Sequence, residues 1–241
     1  MLNESLRPNP CAKGKGTATM PRFFSHANHA DENGLVHIGG KLTPDWLLDA
    51  YTHGIFPWPV SDPFRRGRSV LAWFSPDPRC ILEFDRFHVS RRLEQTCKSK
   101  RFRITFDTDF SGVIRGCAER HKQEGTWITP EMMDAYLELH RLGYARSVET
   151  WSGNDLVGGV YGVAIGGFFA AESMFYRQRD ASKVALVALM RHLKERDYQL
   201  VDIQVKTDHT ARFGAIEIAR SEYLRRLQSA LRGSCPQEKR R

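Results

Sequence analysis

The stretch that decides the fold is Leu156–Phe175, LVGGVYGVAIGGFFAAESMF, together with Leu200–Val205, LVDIQV. In the first, the glycine pair Gly166-Gly167 separates two apolar runs, the pattern of a tight hairpin between strands. Sixteen residues, Leu156–Ala171, carry no charge before Glu172 interrupts them. A carboxylate after so long an apolar run is not there for solubility alone. In the second stretch, strand alternation puts Val201, Ile203 and Val205 on one face and Asp202 and Gln204 on the other. These polar groups, flanked by hydrophobes and beside the strand that carries Glu172, form the candidate active site.

Outward from this pair, capping signals order the rest of the chain. Gly34–Gly40 reads as a short strand closed by glycines. Thr43-Pro44 opens a helix with an N-cap and a first-position proline, and Gly54 stops it. Ile55-Phe56-Pro57-Trp58-Pro59 reads as a rigid aromatic turn, and Trp73–Pro78 as a second aromatic–proline cluster. The two fit either a mini-core of loops or an aromatic wall for a planar ligand. Cys80–Phe84 is a strand, and Ser90 caps a basic helix to Lys98. Arg103–Phe106 is a strand, Asp109 caps a helix to His121, and Thr129-Pro130 caps another that ends at Gly143. Strands Ala145–Trp151, Leu156–Ile165 and Phe168–Ser173 follow. Ser182 is the expected cap of the apolar helix Lys183–Glu195, which leads into strand Gln199–Val205. A helix over Ser221–Arg232 closes the series.

The fold class is therefore α+β. A meander followed by a crossover helix to a further strand is the plan of GNAT-type acyltransferases, whose reactants meet where two neighbouring strands splay. The expected organisation is a flexible extension over 1–32, a small N-terminal domain over 33–100 ending in the basic helix, a GNAT-like catalytic domain over 101–233, and a basic tail over 234–241. The approach to the crossover helix, Arg177–Ser182, lacks the glycines that let a pyrophosphate come close to the backbone. That counts against coenzyme A as donor.

At 241 residues, 41% hydrophobic and 27% charged, the chain has the composition of an ordinary soluble protein with a sizeable core. Leu156–Ala171 is shorter than the roughly 20 residues of a membrane-spanning helix, so no membrane segment is expected. Five dispersed cysteines without a C-x-x-C pair fit a reducing cytoplasm. No second ligand pair accompanies His26 and His29, so no metal is expected. The net charge of +8 is focused: Arg86–Arg103 holds seven basic residues against Glu94 alone. Focused charge suits a polyanion partner, and equally a solvated helix face. Glu172 and Asp202 form a natural site for a cationic substrate. Read as structure instead, Glu172 would bond backbone amides at a strand end and Asp202 would pair with a neighbouring arginine.

The segments GLVHIGGKL, YTHGIFPW, WFSPDPR, EGTWIT, AYLELHRLGYARSVE, LVGGVYGV, ESMF, ASKVAL and VDIQVKTDHTARFGA, spread from Gly34 towards Tyr223, closely resemble the leucyl/phenylalanyl-tRNA–protein transferase family. The resemblance implies transfer of Leu or Phe, and less readily Met, from an aminoacyl-tRNA to proteins that begin with Arg or Lys. The product is a degradation signal of the N-end rule. No cofactor is implied, and a cytoplasmic monomer is expected. By resemblance Asp202 and Gln204 are the catalytic pair, the carboxylate orienting and polarising the amide that contacts the attacking amine. Glu172, with Asp202, would hold the cationic N-terminal residue. Phe169, Met174, Leu186 and Val160 would line the pocket for the transferred side chain, with Val160 and Leu189 standing where Met and Phe are familiar. Trp58 and Trp127 would flank the terminal adenosine, and Tyr51 joins the substrate-binding set. Arg91, Arg92, Lys98, Lys100 and Arg101 would contact the tRNA. The rival readings are a coenzyme A-dependent N-acetyltransferase and a noncatalytic tRNA-binding adaptor.

Overall fold

The computed structural model describes residues 23–24, 27–62, 69–121 and 128–233. Trp127, most of the expected extension and the basic tail lie outside the described residues. The N-terminal unit is a three-stranded antiparallel sheet built from β1 (Leu35–Ile38), β2 (Phe56–Ser61) and β3 (Ser69–Phe74), in the order β1-β3-β2. Helix α1 (Pro44–Thr52) packs beside it and ends at Gly54, whose φ of +75° closes the helix at no steric cost.

The stretch expected to be an aromatic turn is strand β2, and Trp73-Phe74 ends strand β3, so this region is a sheet and not a loop mini-core. Pro57 and Pro59 are tolerated because β2 is an edge strand. Two residues apart, both ring nitrogens face the open edge, where no hydrogen is needed. Trp73 is fully buried, and its indole nitrogen donates to the Gly39 carbonyl at 2.8 Å.

The larger sheet comprises β4 (Arg79–Leu82), β5 (Arg103–Phe106), β6 (Ala145–Ser152), β7 (Asp155–Ile165), β8 (Phe168–Tyr176), β9 (Leu200–Gln204) and β10 (Ile216–Ile218). Their order is β10-β4-β9-β8-β7-β6-β5. Neighbours are antiparallel except β8 and β9, which run parallel and are joined by the crossover helix α5 (Ala181–Glu195). Crossovers need a helix because the chain must return to the same end of the sheet. Gly166-Gly167 is the two-residue turn of the β7–β8 hairpin, as expected.

Two expectations are corrected here. The boundary near residue 100 would leave β4 in the N-terminal domain, but β4 hydrogen-bonds to β9 and β10 inside the large sheet. The two sheets divide between Phe74 and Arg79. Ser182 is not the cap of α5: Asp180 holds that position in a left-handed conformation, φ +69°, and makes no capping bond with its side chain. Three short elements carried no sequence signal: β10, helix α6 (Asp208–Ala211) and a 3-10 turn over Ala27–His29, inside the expected flexible extension, where Phe24 and Ala27 enter the core.

Helix α3 (Phe110–His121) covers one face of the large sheet and α5 the other. The alternation of β8 divides accordingly: Phe168 and Ala170 enter the core on the α3 side, Phe169 and Ala171 the core under α5. Burial on both faces is why this region reads as a nearly continuous apolar run. Helix α4 (Pro130–Arg141) packs against α3 and α1, and α7 (Arg220–Arg232) against α1, β8 and β9. Gly158 permits the close approach of α5, since a Cβ there would lie 2.6 Å from the Ala181 Cβ and 3.0 Å from the Ser182 amide. Gly158→Ala is therefore expected to lower unfolding stability by about 1–3 kcal/mol, measured by urea denaturation. An unchanged midpoint would contradict the packing at this crossing.

Candidate active site

Strands β8 and β9 pair only over Phe168–Ala170 and Leu200–Asp202. Beyond that point each strand carries one extra residue. In β8, Glu172 has no opposite number, because Tyr161 pairs with Ser173 and Gly162 with Ala171. In β9, Ile203 is the extra residue, because Cys80 pairs with Gln204 and Ile81 with Asp202. Bulges bend a strand and re-aim side chains. Here they separate the parallel neighbours and open a cleft of about 970 Å³. Glu172, Gln204, Met174, Leu186, Val160 and Trp58 all line it.

Gln204 departs from strand geometry. Its φ is +60°, and the Val205 amide donates to the Ile203 carbonyl at 2.7 Å, making Gln204 the centre of a three-residue γ-turn. A γ-turn with positive φ is rare and costs about 1–3 kcal/mol in a non-glycine residue. The alternation expected for Leu200–Val205 therefore ends at Gln204, and Val205 is exposed at the cleft rim. The Asp202 carboxylate offsets the strain by accepting the Gln204 backbone N–H at 2.9 Å.

Asp202 is 0% exposed, and its acceptor sites are occupied. Oδ1 accepts from Arg79 Nε at 2.9 Å and from the Gln204 amide; Oδ2 accepts from Arg79 Nη2 at 2.6 Å and the Tyr223 hydroxyl at 2.9 Å. A carboxylate has about four lone-pair sites, so none remains for a substrate. Arg79 is equally enclosed. Its guanidinium lies 4.7 Å from the Phe56 ring centroid and 4.5 Å from that of Tyr223, and Nη1 donates to the Gly54 carbonyl at 3.1 Å. Burial pulls the guanidinium pKa down, but Asp202 outweighs it and leaves the group firmly charged.

Glu172 is the other pole of the site. The Tyr136 hydroxyl donates to Oε2 at 3.1 Å and the Gln204 side-chain amide to Oε1 at 3.0 Å. Tyr136 in turn shares a 2.5 Å hydrogen bond with Tyr51. Burial pushes the Glu172 carboxyl up to about 7, the Tyr51 and Tyr136 hydroxyls pull it back, Asp202 adds to the rise and Arg79 subtracts from it. Burial, followed by the Glu172 charge, also pushes both phenols up, so they remain hydrogen-bond donors.

The expected residues thus separate by place. Phe169 is 2% exposed and is not on the cleft: its ring lies over Gly162, in the core under α5. Tyr51 stands behind Glu172 and is buried. Trp58 is 41% exposed on the edge strand β2. Arg91, Arg92 and Lys98 lie on α2 (Arg91–Lys98), with Lys100 and Arg101 just after it; all five are exposed. Glu94, the acid in this basic helix, pairs with Lys98 at 3.3 Å and with Arg191 of α5 at 2.6 Å, tying α2 to the crossover helix of the large sheet. Arg79, Tyr136 and Tyr223 were not identified as site residues from sequence. Only Arg79 left a signal, as the charged residue that opens an otherwise apolar strand.

Two adjoining family profiles match the sequence, both named for Leucyl/phenylalanyl-tRNA protein transferase: the N-terminal domain over residues 40–77 and the main domain over residues 81–228. A protein of that name from Anaeromyxobacter sp. (strain Fw109-5) is 50% identical over 210 residues, covering 86% of this chain and 87% of its own. One from Solidesulfovibrio magneticus is 49% identical over 209 residues, covering 86% and 82%. The chain belongs to the leucyl/phenylalanyl-tRNA–protein transferase family. The two transferase profiles adjoin where the small sheet gives way to the large one, with Arg79 in the gap between them. Among solved structures, a GCN5-related N-acetyltransferase from Kribbella flavida superposes with a TM-score of 0.39 at 12% identity, covering 73% of this chain and 61% of that one. That likeness is too distant to carry an argument. Among the described residues no cluster of three or more metal-ligand side chains occurs, and no helix is long and apolar enough to cross a membrane.

The raised Glu172 carboxyl has a consequence for stability. Between its unfolded value near 4.3 and its folded value of about 7, the folded protein binds the extra proton, so stability falls as pH rises through that window. Glu172→Gln removes this slope. Between pH 5 and pH 8 the wild type is expected to lose about 1–3 kcal/mol more than the variant in urea denaturation. Parallel pH profiles would contradict the burial of an ionisable Glu172.

Proposed function

We propose that this protein transfers Leu or Phe, and less readily Met, from the 3′ end of an aminoacyl-tRNA to the α-amine of proteins that begin with Arg or Lys. The product marks the acceptor for degradation by the N-end rule, and the enzyme works as a monomer in the cytoplasm. The observation that carries the acceptor preference is the charge balance of the site. Asp202 is neutralised by Arg79, whereas Glu172 meets only neutral hydrogen-bond donors on the cleft floor. A carboxylate in that state is completed by a cation. The acceptor's N-terminal residue supplies it, and Glu172 alone holds it.

The chemistry is aminolysis of an ester. The acceptor nitrogen forms a bond to the carbonyl carbon, the bond from that carbon to the ribose oxygen breaks, and the amine proton passes to the departing hydroxyl. An unperturbed α-amine has a pKa of about 7.7–8 and is partly neutral in the cell, so alignment dominates. The Gln204 amide nitrogen donates to Glu172, which leaves its carbonyl oxygen as the acceptor that orients the attacking N–H. Asp202 acts behind it, by fixing the γ-turn and not by touching substrate. Met174, Leu186 and Val160 form the wall for the transferred side chain, with Phe169 supporting it from the core. Trp58 offers a stacking face to the terminal adenine, where such contacts contribute about 1–3 kcal/mol per base. Arg91, Arg92, Lys98, Lys100 and Arg101 attract the tRNA body.

Labelled Phe-tRNA incubated with an Arg-initiated peptide tests this reading. The wild type is expected to label the peptide, and Gln204→Ala to cut transfer at least tenfold while binding tRNA within twofold of wild type. Folded wild-type protein that leaves the peptide unlabelled would overturn the proposal.

A further inference from the structure

A cationic recess occupies one side of the same cleft and takes no part in the chemistry described above. It is formed where the end of α3, the N-terminal end of α5 and the short helix α6 converge, and Arg120, Arg179, Lys183, His209 and Arg212 line it. The His209 Nε2 atom is buried there with no hydrogen-bond partner among the described residues. The ring is held in place edge-on to Phe213, with centroids 5.4 Å apart. Helix α6 is held by a reciprocal cap between Thr207 and Thr210.

The charge of the recess says what kind of ligand it suits. Burial depresses the His209 pKa, and Lys183, Arg212 and Arg120 depress it further, so three cations converge on a neutral ring. Asp180 is the carboxylate lining this side of the cleft. It pairs with Lys183 at 3.0 Å and lies 3.8 Å from Arg179. Arg120 stacks on the Tyr176 ring at 4.2 Å, a contact that leaves its charge in place. The cations therefore outnumber the anion, and the positive end of the α5 dipole adds to the excess. Arg92 of the basic helix α2 contributes to the field at Asp180, so the recess continues the basic surface of α2 into the cleft.

We propose that this recess binds the phosphodiester nearest the donor's 3′ end, with Arg120, Lys183 and Arg212 as counter-charges. It rests on the aminoacyl-tRNA reading and adds an anchor for the last internucleotide phosphate. Thr207, three residues beyond Gln204, opens α6, so an anchored phosphate would be tied through one short segment to the residue that aligns the amine.

The test compares two donors, Phe-tRNA and 3′-O-phenylalanyl-adenosine, which has the same ester and no phosphodiester. The wild type is expected to show a much lower KM for Phe-tRNA. In Lys183→Ala/Arg212→Ala the ratio of the two KM values should shrink at least tenfold, and Lys183→Arg should restore the share due to Lys183. A second measurement needs no turnover: adenosine 5′-monophosphate should compete with Phe-tRNA better than adenosine for the wild type, and Arg212→Ala should remove that advantage. Equal losses with both donors, or equal competition by adenosine and its monophosphate in the wild type, would overturn the phosphate site. Transfer from neither donor by folded wild-type protein would overturn the aminoacyltransferase reading and this proposal with it.

Discussion

The buried pair between Arg79 and Asp202 is the interaction on which the site depends. Removing two charges from water costs several kcal/mol per ion, and the pair recovers that only with near-complete hydrogen bonding. This pair has it: both Asp202 oxygens are filled, and the guanidinium is enclosed between two aromatic rings and a backbone carbonyl. The contacts reach four separate segments of the chain. Gly54 ends α1, Arg79 opens β4, Asp202 lies in β9 and Tyr223 in α7. The pair thus joins the N-terminal unit to the large sheet, buried behind the residues that line the cleft.

From that anchor a polar chain runs towards solvent. Asp202 holds the Gln204 backbone in a conformation that an unassisted glutamine rarely adopts, and the Gln204 side chain then meets Glu172. Tyr136 and Tyr51 support Glu172 from behind. The strand bulges at Glu172 and Ile203 supply the room. One carboxylate is sealed within the structure and the other lines the cleft, an asymmetry set by the single arginine that one of them receives. Asp202 and Glu172 are expected to share the acceptor; of the two, Asp202 is sealed and Glu172 lines the cleft.

Much of the fold was legible because its signals are local. Glycine turns, Thr-Pro helix starts and the apolar crossover helix each announce themselves within a few residues. The edge strand β2 was not, because prolines and aromatics read as a turn when the pairing partner is unseen. Nor was the membership of β4, which depends on hydrogen bonds to strands more than a hundred residues away. In the site, Glu172 stood out as a charge in an apolar run, and Asp202 and Gln204 as polar residues in a strand. Their roles came from family resemblance. The Arg79 partner, the γ-turn at Gln204 and the separation of Phe169 from the cleft are long-range packing outcomes that no local pattern carries.

A double-mutant cycle on the rate of peptide labelling under saturating donor tests whether Asp202 works through Gln204 and not through substrate. If Asp202 only positions Gln204, Asp202→Asn and Gln204→Ala will each slow transfer, and the double variant will be no slower than Gln204→Ala alone. Multiplicative losses, with the double variant slower by the product of the two single effects, would show instead that Asp202 contributes independently of Gln204.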